Sequence, residues 1–384
     1  MRRPMLGRGD MTTTAIRHRG GTYRAVKPHD TWERISTILN RFGITRVNEI
    51  TDLDDIGIPT WIACRPDSKT FAVSIGTGLD PMQARVSAAM ESIEAWHAEN
   101  PVRPAEFRDS AIGLGLPYDI RTLNLADRSP LTGHSVLDWT TGTGVLTGRA
   151  IPVPLDSIRL DFVGRPWPLA IFRPTSNGVA SGNTPVEATL HGMLEIIERD
   201  CIAERQATEP AALRYVDIGQ ADSDYIRTIA SRLGNADCVL SVDDITNRLG
   251  VPCYAARVWS EDVPIPCGGY GCHVDADIAL GRALLEAAQS RLAVISGARD
   301  DVDADAYQPS TRWPDPAIAQ FVPPRTGLIS DGPDLESVAR DCADRVASVT
   351  GCEPVTVDLT HGDIGIPVRK VYAPGLRMPD PERL

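Results

Sequence analysis

In three stretches of the sequence whose pattern predicts a helix, a glutamate is followed three residues later by a second glutamate or by a glutamine. The pairs are Glu91 with Glu94, Glu195 with Glu198, and Glu286 with the amide Gln289. Residues at i and i+3 share one face of a helix, so each pair points in one direction. Their neighbours are mostly apolar, and carboxylates in such surroundings either face solvent or lie in a pocket where a cation compensates their charge. Because Mg²⁺ usually combines carboxylates with substrate phosphates, three convergent pairs indicate a magnesium–polyphosphate site.

The three stretches are copies of one internal repeat. When Glu91, Glu195 and Glu286 are superposed, an alanine stands seven residues before each of them, and a glycine-rich turn precedes the alanine. Asp80 and Thr184 can cap the first two helices, and the turns place backbone N–H groups where a helix dipole favours anions. For one helix alone, a solvated acidic face is the better interpretation. Three helices in the same register relative to a glycine turn favour the shared site instead.

The elements around the repeat predict a mixed α/β (α+β) protein. Strands are expected before the helices, at 70–75, 169–173 and 253–258, because these segments are rich in β-forming residues. The copies are spaced by roughly 100 residues, which is too long for a solenoid, so we expect a compact protein with internal pseudo-symmetry. Residues 1–20 are expected to form a disordered tail and residues 21–384 a single domain.

Composition and charge exclude several classes of partner. The formal net charge is −12 at pH 7, and an acidic surface repels nucleic acid and anionic lipid. No apolar run reaches the ~20 residues that span a bilayer, and no signal peptide is present, so a cytoplasmic protein is predicted. The sequence lacks a GxxxxGK[ST] motif, which disfavours a P-loop nucleotide-binding protein. A homodimer is expected only because two-fold assemblies are the commonest.

At these residues the sequence resembles the YcaO family, and the resemblance runs from about residue 21 to residue 376. The matching motifs cover the three acidic helices, the glycine turn of the second copy and the end of the chain. The resemblance implies the YcaO-type fold, in which strands and acidic helices converge on a Mg²⁺–ATP site, with ATP and Mg²⁺ as cofactors. The motifs are Ser87-x3-Glu91-xx-Glu94, Ser176-Asn177-Gly178, Gly182-Asn183, Glu187, Glu195, Glu198-Arg199-Asp200, Glu286-xx-Gln289-x-Arg291, Gly297-x-Arg299-Asp300-Asp301, Pro367-Val368 and Pro374-Gly375-Leu376.

Carried over position by position, the resemblance implies roles for individual residues. The side chains expected around the Mg²⁺ ions are Glu91, Glu94, Asn183, Glu187, Glu195, Glu198 and Glu286. Those expected at the nucleotide are Arg24, Thr31, Ser87, Glu91, Asn183, Gln289 and Arg291. Those expected closest to the chemistry are Glu195, Glu198 and Arg199.

One further candidate comes from helical spacing. His191 lies one turn before Glu195 on the metal-site face and is the best histidine for proton transfer. A structural histidine is about twice as common in such a position.

Three features depart from the family pattern. Ala95 stands where an arginine often follows the second glutamate, and Thr77 stands where the first glycine turn often carries lysine. Both changes remove positive charge near the phosphates. The chain ends MPDPERL, with only Pro379 and Pro381 of the Pro-x-Pro-x-Pro tail of many azoline-forming members. A catalytic base at the C-terminus is therefore not expected.

The resemblance implies ATP-dependent O-phosphorylation of a peptide backbone amide whose carbonyl has been attacked by a nucleophile. A Cys, Ser or Thr side chain would give an azoline, external sulfide a thioamide, and the peptide's own amine an amidine; the sequence leaves all three open. The implied partners are a ribosomally made precursor peptide and a separate leader-binding or TfuA-type protein, because no N-terminal module precedes the catalytic repeat. The alternatives are an ATP-dependent amide ligase and a nucleotide-binding accessory protein without chemistry of its own.

Overall fold

A computed structural model of the chain describes residues 13–163, 170–209, 213–297, 320–327 and 334–380. Several sequence expectations fall outside these ranges. They are most of the tail 1–20, the first residue of the strand 169–173, the Arg299-Asp300-Asp301 motif and Pro381.

Seven α-helices lie within the described ranges. They are α1 (Pro28–Ser36), α2 (Pro81–Glu99), α3 (Ala111–Leu114), α4 (Pro185–Gln206), α5 (Asp224–Asn235), α6 (Ala276–Ser296) and α7 (Leu335–Thr350).

Fourteen strands lie within the same ranges. They are β1 (Arg46–Glu49), β2 (Thr60–Cys64), β3 (Val73–Thr77), β4 (Phe107–Ser110), β5 (Val136–Gly144), β6 (Ala150–Pro154), β7 (Val179–Ser181), β8 (Arg214–Val216), β9 (Val239–Asp244), β10 (Cys253–Trp259), β11 (Cys267–Cys272), β12 (Gln320–Val322), β13 (Val355–Asp358) and β14 (Val368–Tyr372).

The strands form three sheets. A three-stranded sheet has the order β1-β2-β3, and a five-stranded sheet has the order β11-β10-β9-β8-β12. The largest sheet runs β4-β5-β13-β14-β7, with β6 also paired to β5. Among the strands that the structure describes, only β8 and β12 pair in parallel. These mixed, mainly antiparallel sheets with long helices confirm the predicted α+β class.

Each copy of the sequence repeat forms a strand followed by a long helix: β3 with α2, β7 with α4, and β11 with α6. In all three sheets the strand that leads into the helix is an edge strand. Edge strands carry unpaired backbone N–H and C=O groups that need partners when they are buried. Each helix of the repeat also packs against the edge strand of another copy: α2 on β7, α4 on β11 and α6 on β3.

The predicted strands match these elements only in part. The strand expected at 70–75 overlaps β3, and the one expected at 253–258 is β10, one strand earlier than the strand that leads into α6. The expectation for 169–173 is wrong for its described residues, because the strand before α4 is β7. Phe172 makes only an isolated bridge with Leu125, and its apolar side chain is buried without a ladder of hydrogen bonds.

The predicted helix caps are confirmed. The carboxylate of Asp80 accepts hydrogen bonds from the backbone N–H groups of Met82 at 2.7 Å and Gln83 at 3.0 Å. The hydroxyl of Thr184 accepts one from the N–H of Glu187 at 3.3 Å. These caps satisfy N–H groups that the first turn of a helix leaves without partners, so they define where α2 and α4 begin.

Glycines let two of these helices lie directly on their strands. A Cβ atom on Gly76 would stand 2.2 Å from the backbone nitrogen of Ala88, and one on Gly269 would stand 2.2 Å from that of Ala287. Real Cβ atoms do not come this close, so only glycine permits the contact. Because no side chain separates the two backbones, the rotation of α2 and of α6 about its own axis is closely defined.

Helices cover both faces of the five-stranded sheet. Along β10, Cys253 and Ala255 belong to the apolar cluster formed with α4 and α7, whereas Tyr254 and Ala256 belong to the cluster formed with α5 and α6. The alternation follows from the period of two along a strand. Among the described helices, none combines the length and the hydropathy that a bilayer-spanning segment requires.

The described part of the expected tail contacts the domain. The backbone N–H and the hydroxyl of Thr14 donate to the Glu336 carboxylate at 2.8 and 2.7 Å, and Ala15 pairs with Asp334 in an isolated β-bridge. These contacts attach residues before position 21 to the start of α7. The single-domain range 21–384 stays a prediction.

The first testable prediction concerns the close contact between β11 and α6. Gly269→Ala should lower the free energy of unfolding by about 2 kcal/mol, because the added methyl forces the helix off the strand. Gly268→Ala is the matched control, because a Cβ on this neighbouring glycine meets nothing within 4 Å. Urea titration of both variants measures the difference, and equal stabilities would show that the contact does not hold the helix.

Candidate functional site

A cavity of about 360 Å³ is lined by residues of α1, α2, α4 and α6 and by the segment before α1. Eight of the residues singled out from the sequence line it, which means that the structure brings distant parts of the chain together. They are Arg24, Thr31, Ser87, Glu91, Asn183, Glu187, Glu286 and Gln289.

Glu187 connects the segment before α1 to the start of α4. Its fully buried carboxylate accepts hydrogen bonds from the Arg24 guanidinium at 3.1 Å and from the backbone N–H of Ala25 at 2.8 Å. Asn183 donates to it through its backbone at 3.1 Å and through its amide at 3.0 Å. The amide oxygen of Asn183 in turn accepts from the Thr31 hydroxyl at 2.9 Å. In this arrangement Glu187 holds Arg24 and Asn183 at the cavity, and its expected role as a metal ligand stays a prediction.

The other acidic residues form a continuous cluster from α2 to α4. Burial raises the pKa of Glu94 well above its usual value, and the neighbouring charges of Glu195 and Glu91 raise it further. Burial also raises the pKa of Glu195, as does the charge of Glu198. The structure therefore joins the first two acidic pairs into one patch of repelling carboxylates.

Glu286 extends this cluster to α6. Burial and the charge of Glu198 raise the pKa of Glu286 to about 7. The Arg199 guanidinium lies among the carboxylates of Glu195, Glu198 and Glu286, whose charges raise its pKa against the effect of burial. Its closest ion pair is to Glu195 at 3.4 Å. Burial and mutual repulsion therefore disfavour the charged form of the glutamates in this cluster.

Backbone N–H groups near the strand edges point at these carboxylates. Ser181 at the end of β7 donates to Glu94 at 2.7 Å, and Gly178 just before β7 donates to Glu195 at 3.2 Å. The backbone of Tyr270 in β11 lies close to Glu286 and acts to lower its pKa. The hydrogen bonds to Ser181 and Gly178 give the carboxylates of Glu94 and Glu195 fixed orientations.

The donor set fits a hard divalent cation. It consists of carboxylate oxygens, and Mg²⁺ is bound by one or two such oxygen ligands together with phosphates. Residues that could hold it are those of the cluster: Glu91, Glu94, Glu195, Glu198 and Glu286.

Two arginines, Arg24 and Arg282, bring positive charge to the cavity. Arg282 lines it and lies close enough to Arg24 to lower the pKa of that guanidinium, whose main perturbation is burial. Within the described residues Arg282 makes no ion pair of its own. Sequence reasoning missed this residue, although a signal was present: Arg282 stands one helical turn before Glu286 and so shares its face.

His191 lies behind the cavity rather than in its lining. Its Nε2 atom is 3.4 Å from the hydroxyl of Thr22, which does line the cavity. Burial and the charges of Arg24 and Arg282 hold the pKa of His191 well below its usual value. The imidazole is therefore neutral at physiological pH, and any exchange of a proton with the cavity would pass through Thr22.

Gln289 is held at the cavity by Thr77, the residue that replaces the lysine of the family's first glycine turn. The Thr77 hydroxyl donates to the Gln289 amide oxygen at 2.8 Å. The amide nitrogen of Gln289 is left as the donor that can face a ligand. Sequence reasoning noted Thr77 only as a lost charge and missed this contact.

The expected nucleotide contact of Arg291 needs correction. Its side chain is 2% exposed and is bound to Asp54 at 3.1 Å, to Asp262 at 2.9 Å and to the hydroxyl of Ser260. Arg291 follows Glu286 by five residues, which on a helix with 3.6 residues per turn places it on a different face. It is a buried ion-pair residue away from the cavity.

Because Arg282 lines the cavity and Arg291 does not, the two arginines should respond differently to substitution. Arg291→Met should lower the free energy of unfolding by about 3–5 kcal/mol, since it leaves the buried Asp54 without its partner, and should leave nucleotide affinity unchanged. Arg282→Met should do the reverse, weakening nucleotide binding with little change in thermal stability. Calorimetry of unfolding and of nucleotide binding on both variants decides between the two assignments.

The acidic cluster predicts an unusual dependence of stability on pH in the cation-free protein. Carboxyls with a raised pKa bind protons in the folded state that the unfolded chain has released, so their stabilising effect is complete below pH 4.5 and is lost as pH rises through about 7, the pKa of Glu286. The melting temperature should therefore fall over this range, and Mg²⁺ with ADP should reduce the slope. Glu286→Gln should reduce it in the cation-free protein. Equal slopes with and without Mg²⁺–ADP would contradict the assignment.

Comparison with known proteins adds independent findings. The family model described as YcaO cyclodehydratase, ATP- and Mg²⁺-binding, matches residues 75–377. An uncharacterised protein of Mycobacterium tuberculosis is 36% identical over 97% of this chain and 86% of its own length. An uncharacterised protein in the tfuA 3′ region of Rhizobium leguminosarum bv. trifolii is 33% identical over 92% of this chain and 89% of its own length.

A solved structure resembles the fold. YcaO from Methanopyrus kandleri, bound with AMPPCP and Mg²⁺, superposes with a TM-score of 0.73 at 22% identity and covers 94% of both chains. This likeness confirms the predicted YcaO-type fold, and the family description confirms ATP and Mg²⁺ as the cofactors of the family. The chain belongs to the YcaO family of ATP- and Mg²⁺-dependent enzymes.

Proposed function

We propose that this protein phosphorylates the oxygen of a peptide backbone amide at the expense of ATP, and that the substrate is a ribosomally made precursor peptide. The observation that carries the proposal is the convergence of carboxylates from α2, α4 and α6 at a cavity that two arginines also line. ATP supplies the phosphoryl group, and Mg²⁺ neutralises the charge that spreads over its oxygens. The chain's own residues bind the nucleotide and the peptide and orient them for the transfer, since positioning and charge stabilisation provide most of the acceleration in such reactions.

The arginines and the acidic cluster have different parts in this work. Arg24 and Arg282 supply positive charge for phosphate oxygens, and the acidic cluster supplies ligands for cations between phosphate and protein. Arg199, which lies among three carboxylates, would stabilise the charge that develops on the transferring phosphoryl group. A nucleophile of the substrate or an added one supplies the attacking electron pair.

The identity of the nucleophile is the finer part of the proposal. A relative is named for its position in the tfuA 3′ region, which supports a TfuA-type partner over a leader-binding one. Such partners accompany thioamide-forming members of the family, so we favour external sulfide as the nucleophile. An azoline from Cys, Ser or Thr and an amidine from the peptide's own amine are the outcomes to be separated from it.

The decisive experiment follows the oxygen atom. A precursor peptide whose target amide carries heavy oxygen is incubated with the protein, ATP and Mg²⁺, with and without sulfide and a TfuA-type partner. Mass spectrometry should find the heavy oxygen in inorganic phosphate and a sulfur in its place in the peptide.

Each other outcome assigns a different function. Loss of one water from the peptide, with heavy phosphate, would indicate an azoline or amidine, which fragmentation of the peptide separates. Joining of two substrates would indicate an amide ligase. Nucleotide binding without any phosphate release, with the partner present, would indicate an accessory protein and would overturn the proposal.

The acidic cluster gives a prediction for turnover. Glu195→Ala and Glu198→Ala should each lower kcat by at least about a hundredfold, because each removes a cation ligand from the site. Glu204→Ala is the matched control on α4, since Glu204 pairs with Arg248 at the protein surface outside the cluster. Thermal melting should show that all three variants are folded. Near-normal ATP consumption by both cluster variants would contradict their role.

A further inference from the structure

Lys370 is a buried cation that the proposed mechanism does not use. It lies in β14 with only 1% of its surface exposed. Its ammonium donates a hydrogen bond to the carbonyl oxygen of Thr175 at 2.8 Å, and its nitrogen stands 5.8 Å from the centre of the Tyr372 ring. Removing an ammonium group from water is costly, so a buried lysine with a single hydrogen bond in the described chain requires an explanation.

The carbonyl that Lys370 holds begins a tight turn next to the acidic cluster. Within the turn, the N–H of Val179 donates to the carbonyl of Ser176 at 2.7 Å. The turn is also bonded to β14, because the N–H of Val371 donates to the carbonyl of Gly178 at 2.8 Å. Gly178 has a φ of +78°, and a Cβ there would stand 2.3 Å from the Val371 carbonyl oxygen. The turn is thus clamped between β14 and α4 in a conformation that only glycine adopts without strain.

The far end of this turn fixes Glu195. The N–H of Gly178 donates to one carboxylate oxygen of Glu195 at 3.2 Å, and Arg199 reaches the other at 3.4 Å. The charge of Glu195 also acts on Lys370, opposing the effect of burial, which lowers the pKa of Lys370 to about 8. Lys370 and Glu195 are therefore linked through the turn by hydrogen bonds and through space by charge.

We infer that Lys370 is a positioning residue for the cation site: by anchoring the Thr175 carbonyl it holds the 175–178 turn so that Gly178 aims the Glu195 carboxylate into the acidic cluster. The inference rests on the proposed function, because that proposal assigns Glu195 to the cation. Partners that orient metal ligands are commonly as important for affinity as some of the ligands themselves.

A purely structural role makes a different prediction. If Lys370 only stabilised the packing of β14 on the turn, its loss would lower the stability of the folded protein and leave cation affinity unchanged. The test therefore measures cation binding in the folded protein. It uses Mn²⁺ in place of Mg²⁺, because bound and free Mn²⁺ are distinguished by electron paramagnetic resonance, together with a non-hydrolysable ATP analogue.

Lys370→Met keeps the length of the side chain and removes both charge and donor. It should weaken Mn²⁺ binding about tenfold or more, at a temperature well below its melting point. Arg369→Met is the matched control, because Arg369 precedes Lys370 in β14 and pairs instead with Asp358 at 2.5 Å. That variant should lose some stability and bind Mn²⁺ like the natural protein.

Two further variants keep the test decisive. Lys370→Arg preserves charge and donor, has a small cavity of about 40 Å³ beside it to accept the larger group, and should restore most of the affinity. If Lys370→Met does not fold, Lys370→Gln serves instead and should show the same defect, since its amide is uncharged and shorter. Natural Mn²⁺ affinity in the folded Met or Gln variant would overturn the inference.

Glu195→Gln separates this inference from the proposal beneath it. If Glu195→Gln binds Mn²⁺ as tightly as the natural protein, Glu195 is not a ligand and that part of the proposed function fails. If it binds weakly while Lys370→Met binds normally, only the positioning role of Lys370 fails. If both bind weakly, the double variant should be no weaker than Glu195→Gln alone, since Lys370 acts through Glu195.

Discussion

The three edge strands that lead into the acidic helices impose the main constraint on this protein. β3, β7 and β11 each end a sheet and each lead into a long helix. An edge strand buried inside a protein must find partners for its backbone N–H groups, because unpaired buried groups are costly. Carboxylates of the helices accept from the backbone at and just before β7, as Glu94 does for Ser181 and Glu195 does for Gly178. The acidic cluster therefore helps to attach β7 to the helices and is also a candidate cation site.

Opposing electrostatic terms act at this connection. Backbone N–H groups and Arg199 favour the charged form of the glutamates, while burial and mutual repulsion oppose it strongly enough to raise the pKa of Glu94, Glu195 and Glu286. The hydrogen bonds fix where the carboxylates point, and they do not remove the repulsion. A divalent cation bound between the carboxylates would compensate the charges that repel one another. The fold thus prepares an array of oriented ligands whose charge is completed by binding.

The sequence predicted the three acidic helices and their shared register because small residues recur at fixed positions of the repeat. The alanines seven positions before the glutamates identify the contacts: a Cβ on Gly76 would lie 2.3 Å from the Ala84 carbonyl, and one on Gly271 would lie 2.2 Å from that of Ala279. Spacing along a helix then predicted which acidic side chains share a face. The strand at 169–173 failed because apolar composition reports burial, and Phe172 is buried without belonging to a sheet.

Residues that act through three-dimensional contacts gave no comparable signal. Lys370 lies in a strand whose sequence has no unusual pattern. Its link to the cluster runs through the carbonyl of Thr175, and a backbone contact of this kind leaves no trace in the pattern of side chains. The expectation that Arg291 contacts the nucleotide came from its place in a family motif. In the structure its position on the helix directs it toward Asp54 instead. Arg282, one turn before Glu286, was available from the same geometry. Periodicity applied to every charged residue of α6, rather than to motif positions alone, separates the two arginines.

The departures from the family pattern change the polar character of one side of the cavity. Where the first glycine turn often carries lysine, Thr77 binds the amide oxygen of Gln289, and a neutral pair of hydrogen-bonding groups replaces a charge. Positive charge is instead provided by Arg282 on α6 and by Arg24, whose guanidinium is held by Glu187. Because a buried carboxylate holds the Arg24 guanidinium, that side chain has a fixed position, and the pair carries less net positive charge than a free arginine. The site therefore relies on oriented donors more than on a high density of positive charge, which is consistent with magnesium supplying most of the compensation for phosphate.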